Sequence, residues 1–228
     1  MTSSVGYLEN IDAQGIFCPD KIDNRSQDHN VFKKNDYIFK QDEASDKLYL
    51  ITKGRIKIGT KNHDSRTVTK AILGIGEIFG EKAILGEEKR RDFAQAIEET
   101  ELCSMSREEM KSLFIEHNKL YYYLMKLIGN RAVEMEKRLE SLVFKDSRSR
   151  IIEFLLDLVE KKGQRVGYEW VVRKFITHQE IANLTATSRQ TVTSVLNELK
   201  GENILTFDRK RLLIRDLEKL QKELEVIS

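Results

Sequence analysis

The sequence predicts an α+β protein: an N-terminal antiparallel β-roll of the double-stranded β-helix or jelly-roll type, a long dimerisation helix, and a C-terminal winged helix-turn-helix. Three observations carry this. Short apolar pieces separated by turn residues run from Val31 to residue 105. Apolar residues then repeat at alternating spacings of four and three from Tyr121 to Leu142. Two capped helical patterns meet at a tight turn within residues 177–199, and a basic hairpin follows them. The expected organisation is an arm over 1–30, the roll over 31–106, the dimerisation helix over 107–146 and the winged helix-turn-helix over 147–228.

Composition bounds the alternatives. A length of 228 residues admits one large domain or two small ones. With 40% hydrophobic residues and 12 glycines, the chain has the make-up of a globular protein and not of a disordered one. No apolar run approaches the roughly 18 residues of a membrane span, and the N-terminus lacks the basic region and apolar core of a secretion signal. The expectation is a cytoplasmic protein with no membrane partner. Cys18 and Cys103 are too few for a cluster or zinc site and read as plain thiols, so no metal is expected. His29, His63, His117 and His178 each stand alone in sequence. The net charge of +2 hides an asymmetry, because residues 148–215 carry 13 Lys/Arg against 8 Asp/Glu. A basic C-terminal third fits a nucleic-acid partner.

In chain order, residues 1–30 are polar and without period. Tyr37–Phe39, Leu48–Ile51, Ile56–Ile58 and Val68–Leu73 are strand-length apolar pieces, divided by Lys53-Gly54 and Asn62-His63-Asp64. Residues 107–144 switch to a helical period. Tyr121, Met125, Ile128, Ala132, Met135, Leu139 and Leu142 then form an a/d repeat with charged residues between them, among them Glu134, Glu136, Lys137 and Arg138. Such a repeat is the seam of two helices, hence a homodimer. Ile151, Ile152, Phe154, Leu155, Leu158 and Val159 form a further amphipathic stripe, which Lys161-Lys162-Gly163 ends. Trp170-Val171-Val172 is a short strand.

The segment from Thr177 to Leu199 carries the chemistry. Thr177 and Glu180 are spaced as a capping box, and Ile181, Ala182 and Leu184 can face inward. Thr187 or Ser188 caps the second helix, whose buried stripe is Val192, Val195, Leu196 and Leu199. Its solvent face presents Arg189, Gln190, Thr193 and Ser194. Arginine can donate twice to guanine and glutamine can pair twice with adenine, while short hydroxyl residues suit phosphates. Arg209, Lys210 and Arg211 lie at the tip of the hairpin between Ile204–Phe207 and Leu212–Ile214. No nucleophile–base pair, metal cluster or phosphate loop is present, so an enzyme is not expected. The alternative class is a nucleotide-sensing or protein-interaction module whose winged helix docks protein instead of DNA.

Gln179-Glu180-Ile181-Ala182, Ser188-Arg189-Gln190-Thr191-Val192, Leu196 and Leu199 together resemble the winged helix of the Crp/Fnr regulator family. Gly54-Arg55-Ile56-Lys57 and Gly76-Glu77-Ile78-Phe79-Gly80-Glu81 resemble the glycine-bearing turns of its cyclic-nucleotide-binding roll. Phe144 to Ile151 resembles its hinge. The resemblance spans residues 31–215 in order. It implies a homodimeric bacterial transcription factor on an inverted-repeat site in double-stranded DNA, with RNA polymerase as a candidate further partner. Gln179, Ser188 and Thr191 would contact phosphate, and Arg189 and Gln190 would read bases. Thr187, Thr193, Ser194, Arg209, Lys210 and Arg211 complete the candidate surface. Ser194 stands where cyclic-AMP-responsive members often carry arginine, and Ala186 where the turn commonly has glycine.

The resemblance also locates a candidate effector pocket at Gly80, Glu81, Arg90 and Arg91. In the family a Gly-Glu turn and an Arg-Ser or Arg-Thr pair bind the ribose and cyclic phosphate. Here Arg90 or Arg91 would fill the arginine role, no hydroxyl residue follows, and Asp92 stands close by. Met135-Glu136 occupies the place of the family's Thr-Ser pair on the dimer helix. The residues leave three alternatives open: cyclic AMP, another small anionic ligand, or no small-molecule effector.

Overall fold

A computed structural model describes residues 29–62, 67–116, 118–208 and 210–225. Most of the expected arm, with Cys18, and also His63, His117 and Arg209 lie outside the described residues. The chain divides into two compact units between Glu134 and Met135, a point inside its longest helix.

The first unit is built on eight strands: β1 (His29–Phe32), β2 (Tyr37–Phe39), β3 (Lys47–Lys53), β4 (Ile56–Lys61), β5 (Thr67–Leu73), β6 (Ile78–Phe79), β7 (Phe93–Ala96) and β8 (Thr100–Ser106). They form two four-stranded antiparallel sheets, in the orders β1-β8-β3-β6 and β2-β7-β4-β5. Strand β3 explains its own composition. Tyr49 and Ile51 join Phe39, Ile56, Phe79 and Leu102 in one apolar cluster. Leu48 and Leu50 face the other way, into a cluster with Met105, Met110, Leu120 and Leu124. A strand buried on both faces reads as a continuous apolar run and not as an alternation. The β3–β4 turn requires Gly54, which sits at φ 84°, where an added Cβ would lie 2.3 Å from the Glu99 carbonyl oxygen.

Helix α1 (Arg107–Glu116) follows β8 directly. Ser106 and Glu109 cap it reciprocally: the Ser106 N–H donates to the Glu109 carboxylate at 2.8 Å, and the Glu109 N–H donates back to the Ser106 Oγ at 3.2 Å. The helical period from residue 107 is therefore two helices, because α2 (Asn118–Phe144) is separate. Leu120 and Leu124 of α2 pack on the roll. The heptad residues stand on another flank, with Tyr121, Met125, Met135, Leu139 and Leu142 all exposed, Met135 at 69%. Cys103 corrects an expectation. It is not a plain thiol but disulfide-bonded, on a buried strand.

The second unit holds α3 (Ser147–Lys162), β9 (Gln164–Val166), β10 (Glu169–Arg173), α4 (His178–Thr185), α5 (Arg189–Gly201), β11 (Leu205–Phe207), β12 (Arg211–Ile214) and α6 (Leu217–Glu225). Asp146 caps α3 by accepting from the Ser149 N–H at 2.7 Å. The strands form one antiparallel sheet, β11-β12-β10-β9. Strand β9 went unanticipated because Gln164-Arg165-Val166 is wholly exposed, so its pairing with β10 uses backbone alone and needs no apolar pattern. The core joins Ile151, Ile152 and Leu155 of α3 to Ile181 and Ala182 of α4, Val192, Leu196 and Leu199 of α5, and Leu212 and Ile214 of β12. Arg148 braces its edge, pairing with Glu198 of α5 at 3.1 Å and with Glu223 of α6 at 2.5 Å.

Leu196 has no solvent exposure in this core. Leu196→Ala is expected to cost about 2–5 kcal/mol. Urea unfolding should show the loss in the transition of the second unit alone.

Candidate nucleic-acid interface and ligand site

Helices α4 and α5 are short, and their ends are satisfied locally. Thr177 accepts from the Glu180 N–H, and the Glu180 carboxylate accepts from the Thr177 N–H at 2.7 Å, so the expected capping box is formed. Of the two candidate caps for α5, Ser188 takes the role, its Oγ accepting from the Thr191 N–H at 3.0 Å. Thr187 is part of the turn instead. Its N–H donates to the Ala182 carbonyl, and its hydroxyl meets that of Thr185 at 3.0 Å. Ala186 closes α4 in the left-handed region at φ 51°, which costs a residue with a Cβ about 1–2 kcal/mol.

The candidate readers divide by what already engages them. Arg189, Gln190 and Ser194 are exposed. Among the described residues, the guanidinium of Arg189 and the amide of Gln190 make no hydrogen bond. Thr193 is different. Its hydroxyl donates to the Arg189 carbonyl at 2.9 Å and lies 2.9 Å from His178 Nδ1. With the one hydroxyl proton spent on the carbonyl, His178 must be the donor in that second bond. The His178 ring also stands edge-on to Phe207 of β11, at 5.3 Å between centroids. Burial, and then the charge of Arg189, holds the imidazole below its usual range. Sequence reading assigned His178 nothing, because its partners come from α5 and β11. Gln179 is exposed, with its amide on the Asn183 side chain at 3.0 Å.

At the hairpin tip, Asp208 organises the turn. It accepts from the backbone N–H groups of Lys210 at 2.7 Å and Arg211 at 3.0 Å, and from Arg211 Nε at 3.1 Å. Backbone hydrogen bonding, the one from Lys210 foremost, lowers the Asp208 pKa. Arg211 is thus partnered within the hairpin, whereas the Lys210 ammonium projects into solvent.

In the roll, the candidate pocket residues are engaged within the chain. Gly80 lies at φ 81°, and an added Cβ would come within 2.8 Å of the Lys47 carbonyl oxygen. The next residue, Glu81, is buried and ion-paired to Arg131 of α2 at 2.5 Å, while Arg131 also donates to the Ile78 carbonyl at 2.6 Å. Arg90 is buried over the Phe39 ring at 4.3 Å, and its terminal nitrogens donate to the carbonyls of Lys47 at 2.5 Å and Gly80 at 3.2 Å. Among the described residues, its buried Nε has no hydrogen-bond partner. Arg91, by contrast, is 84% exposed and only 3.9 Å from Glu87 at its closest. Asp92 accepts from Lys70 at 2.5 Å and Lys82 at 2.8 Å. Burial alone would raise its pKa, but the two lysines outweigh it and hold the carboxyl below its usual value.

Residues 29–117 match the cyclic nucleotide-binding domain, and residues 149–223 match the Crp-like helix-turn-helix domain. The chain is 31% identical over 185 residues to the cyclic AMP receptor protein of Thermus thermophilus, covering 81% of this chain and 82% of that one. It is 29% identical over 191 residues to a CRP-like cAMP-activated global transcriptional regulator of Mycobacterium tuberculosis, covering 84% and 85%. Among solved structures, it is similar to a CooA mutant from Carboxydothermus hydrogenoformans, with a TM-score of 0.77 at 25% identity over 87% of this chain and 88% of that one. FixK2 from Bradyrhizobium japonicum shares the fold, with a TM-score of 0.75 at 19% identity over 86% and 96%.

The depressed Asp92 pKa contributes stability that is present above the unfolded value of 3.8 and lost as pH falls through the folded one. Asp92→Asn should therefore melt below the wild type at pH 7. The gap between them should close as the pH drops below that of the free carboxyl, as read by thermal unfolding of the first unit.

Proposed function

Because the chain belongs to the Crp/Fnr family of transcriptional regulators, whose members bind DNA and are not enzymes, we propose that it acts as a homodimer on an inverted-repeat DNA site without needing cyclic AMP. The observation that carries the DNA reading is the first turn of α5. A Ser188 cap holds the side chains of Arg189 and Gln190 exposed and without hydrogen bonds to other described residues. Those two side chains are the base readers. Gln179, Thr187, Ser188, Thr191, Ser194 and the hairpin tip serve phosphate and register. Thr193 contributes through Arg189, whose carbonyl it holds, and not through a free hydroxyl.

The dimer reading is supported by α2, whose heptad flank exposes Tyr121, Met125, Met135, Leu139 and Leu142 while Leu120 and Leu124 satisfy the chain's own core. Pairing two such flanks would place the recognition helices in successive major grooves, about 34 Å apart. Regulation would then act by recruiting or excluding RNA polymerase.

The departure from cyclic AMP is supported by the roll. Two relatives are named for that nucleotide, yet here the carboxylate in the ribose position is paired with Arg131, and each terminal nitrogen of Arg90 already donates to a carbonyl. A nucleotide would have to displace a buried ion pair, and removing one partner of such a pair is costly. The arginine of α2 thereby does internally what a bound ligand's ribose does elsewhere.

Fluorescence anisotropy on an inverted-repeat duplex, selected by the chain at fixed salt, tests this directly. Affinity should be the same with and without cyclic AMP; binding that appears only with the nucleotide contradicts the reading. Arg189→Ala should cost about 1–3 kcal/mol and relax discrimination at one position of each half-site. Lys210→Ala should weaken all sequences alike and lower the salt slope by about one.

A further inference from the structure

Two polar residues of α2, Arg138 and Ser141, and Lys145 just past its end follow one another at spacings of three and four. Arg138 and Ser141 each precede a residue of the apolar stripe and so lie about 100° round the helix from it. By pattern they are ordinary solvated positions between heptad residues. In the structure each is occupied. The Ser141 hydroxyl donates to the Glu153 carboxylate of α3 at 2.6 Å, and the Lys145 ammonium donates to the same carboxylate at 2.7 Å. Arg138 reaches further and donates to the carbonyl of Asn183, in the last turn of α4, at 3.2 Å.

Arg150, near the start of α3, converges on the same place. It donates to the carbonyls of Thr185 at 2.9 Å and Ala186 at 3.2 Å, and also to the carbonyl of Lys145 at 2.7 Å and the Ser147 hydroxyl at 3.3 Å. One guanidinium thus ties the end of α2 to the end of α4. The last carbonyls of a helix have no partner within it and carry its negative dipole end, so two guanidinium groups are well matched there. Burial lowers the Arg138 pKa, as for a charge partly withdrawn from water and unlike a solvated residue between heptad positions.

We propose that Arg138 and Arg150 are positioning residues that clamp the helix-turn-helix to the dimerisation helix and thereby set the half-site spacing the dimer accepts. The inference depends on the dimeric DNA reading above. The hinge expected over residues 144–150 is on this view a braced joint. Its attitude is fixed at the turn between the two helices that meet DNA, so a change in α2 is passed to the reading head without passing through the wing. Neither arginine touches DNA in this scheme; each acts through the backbone of α4.

The test uses the full chain and inverted-repeat duplexes whose half-site centres lie at the preferred separation or are displaced from it by one and two base pairs. The wild type should prefer its own spacing by at least about tenfold, since a displaced half-site is lost along with roughly one base-reading contact or more. Arg138→Ala and Arg150→Gln should bind all spacings within about threefold of one another, while keeping the wild-type penalty for a base change within a half-site. Arg138→Lys, which can still reach one carbonyl, should restore part of the preference. A merely structural role gives another pattern: overall weakening with the spacing preference intact, which overturns the proposal, as does wild-type behaviour in both variants. If the wild type binds no inverted repeat at all, the DNA reading itself fails and takes the clamp with it. Thermal melts of the second unit, run beside the titrations, identify any variant that is simply unfolded, and Arg138→Gln then takes its place.

Discussion

The polar ends of two short crossed helices impose the constraint on which the second unit depends. Helix α4 has 8 residues and α5 has 13, lengths at which an isolated helix is marginal in water. Every unpaired N–H and carbonyl at their ends must find a partner before the apolar stripes can be buried. Thr177, Glu180 and Ser188 satisfy the N-termini, and Ala186 and Thr187 turn back on the Ala182 carbonyl. Arg138 takes the carbonyl of Asn183, and Arg150 takes those of Thr185 and Ala186. Fold and candidate function meet at this point, because the groups that complete the helix ends also join them to the long helix and leave the first turn of α5 facing outward.

The roll shows the same economy with charge. A pocket able to bind an anion must hold uncompensated donors, and in this chain most of them are compensated from within. Asp92 sits between Lys70 and Lys82, and Glu81 is matched by Arg131. Among the described residues, the buried Nε of Arg90 has no hydrogen-bond partner. Since Arg131 belongs to α2, the pair with Glu81 joins the roll to the helix that bears the heptad stripe.

Much of this was legible in the sequence because it follows from local periodicity. The capping box at Thr177 and Glu180, the stripe of Val192 to Leu199, the heptads and the strand-length pieces of the roll are each written within one turn or one strand. What was not legible depends on contacts across long separations. The disulfide bond at Cys103, the pair between Glu81 and Arg131, and the bond from His178 to Thr193 join residues whose neighbourhood no local pattern specifies. Arg138 is the instructive case. Its spacing to Ser141 and Lys145 is visible in the sequence, but a polar 3-4 repeat beside an apolar one reads as a solvated flank until α3 and α4 are placed against it. Strand β9 escaped for the opposite reason, since it buries nothing and so has no pattern to read.

The central claim is that two copies of this chain, joined through α2, present two reading heads to one duplex. Sedimentation velocity of the full chain with a selected inverted-repeat duplex measures that stoichiometry directly. Two chains per duplex, assembled from a protein already dimeric at micromolar concentration without added ligand, is the expected result. A chain that stays monomeric and binds the duplex singly, or not at all, contradicts the claim.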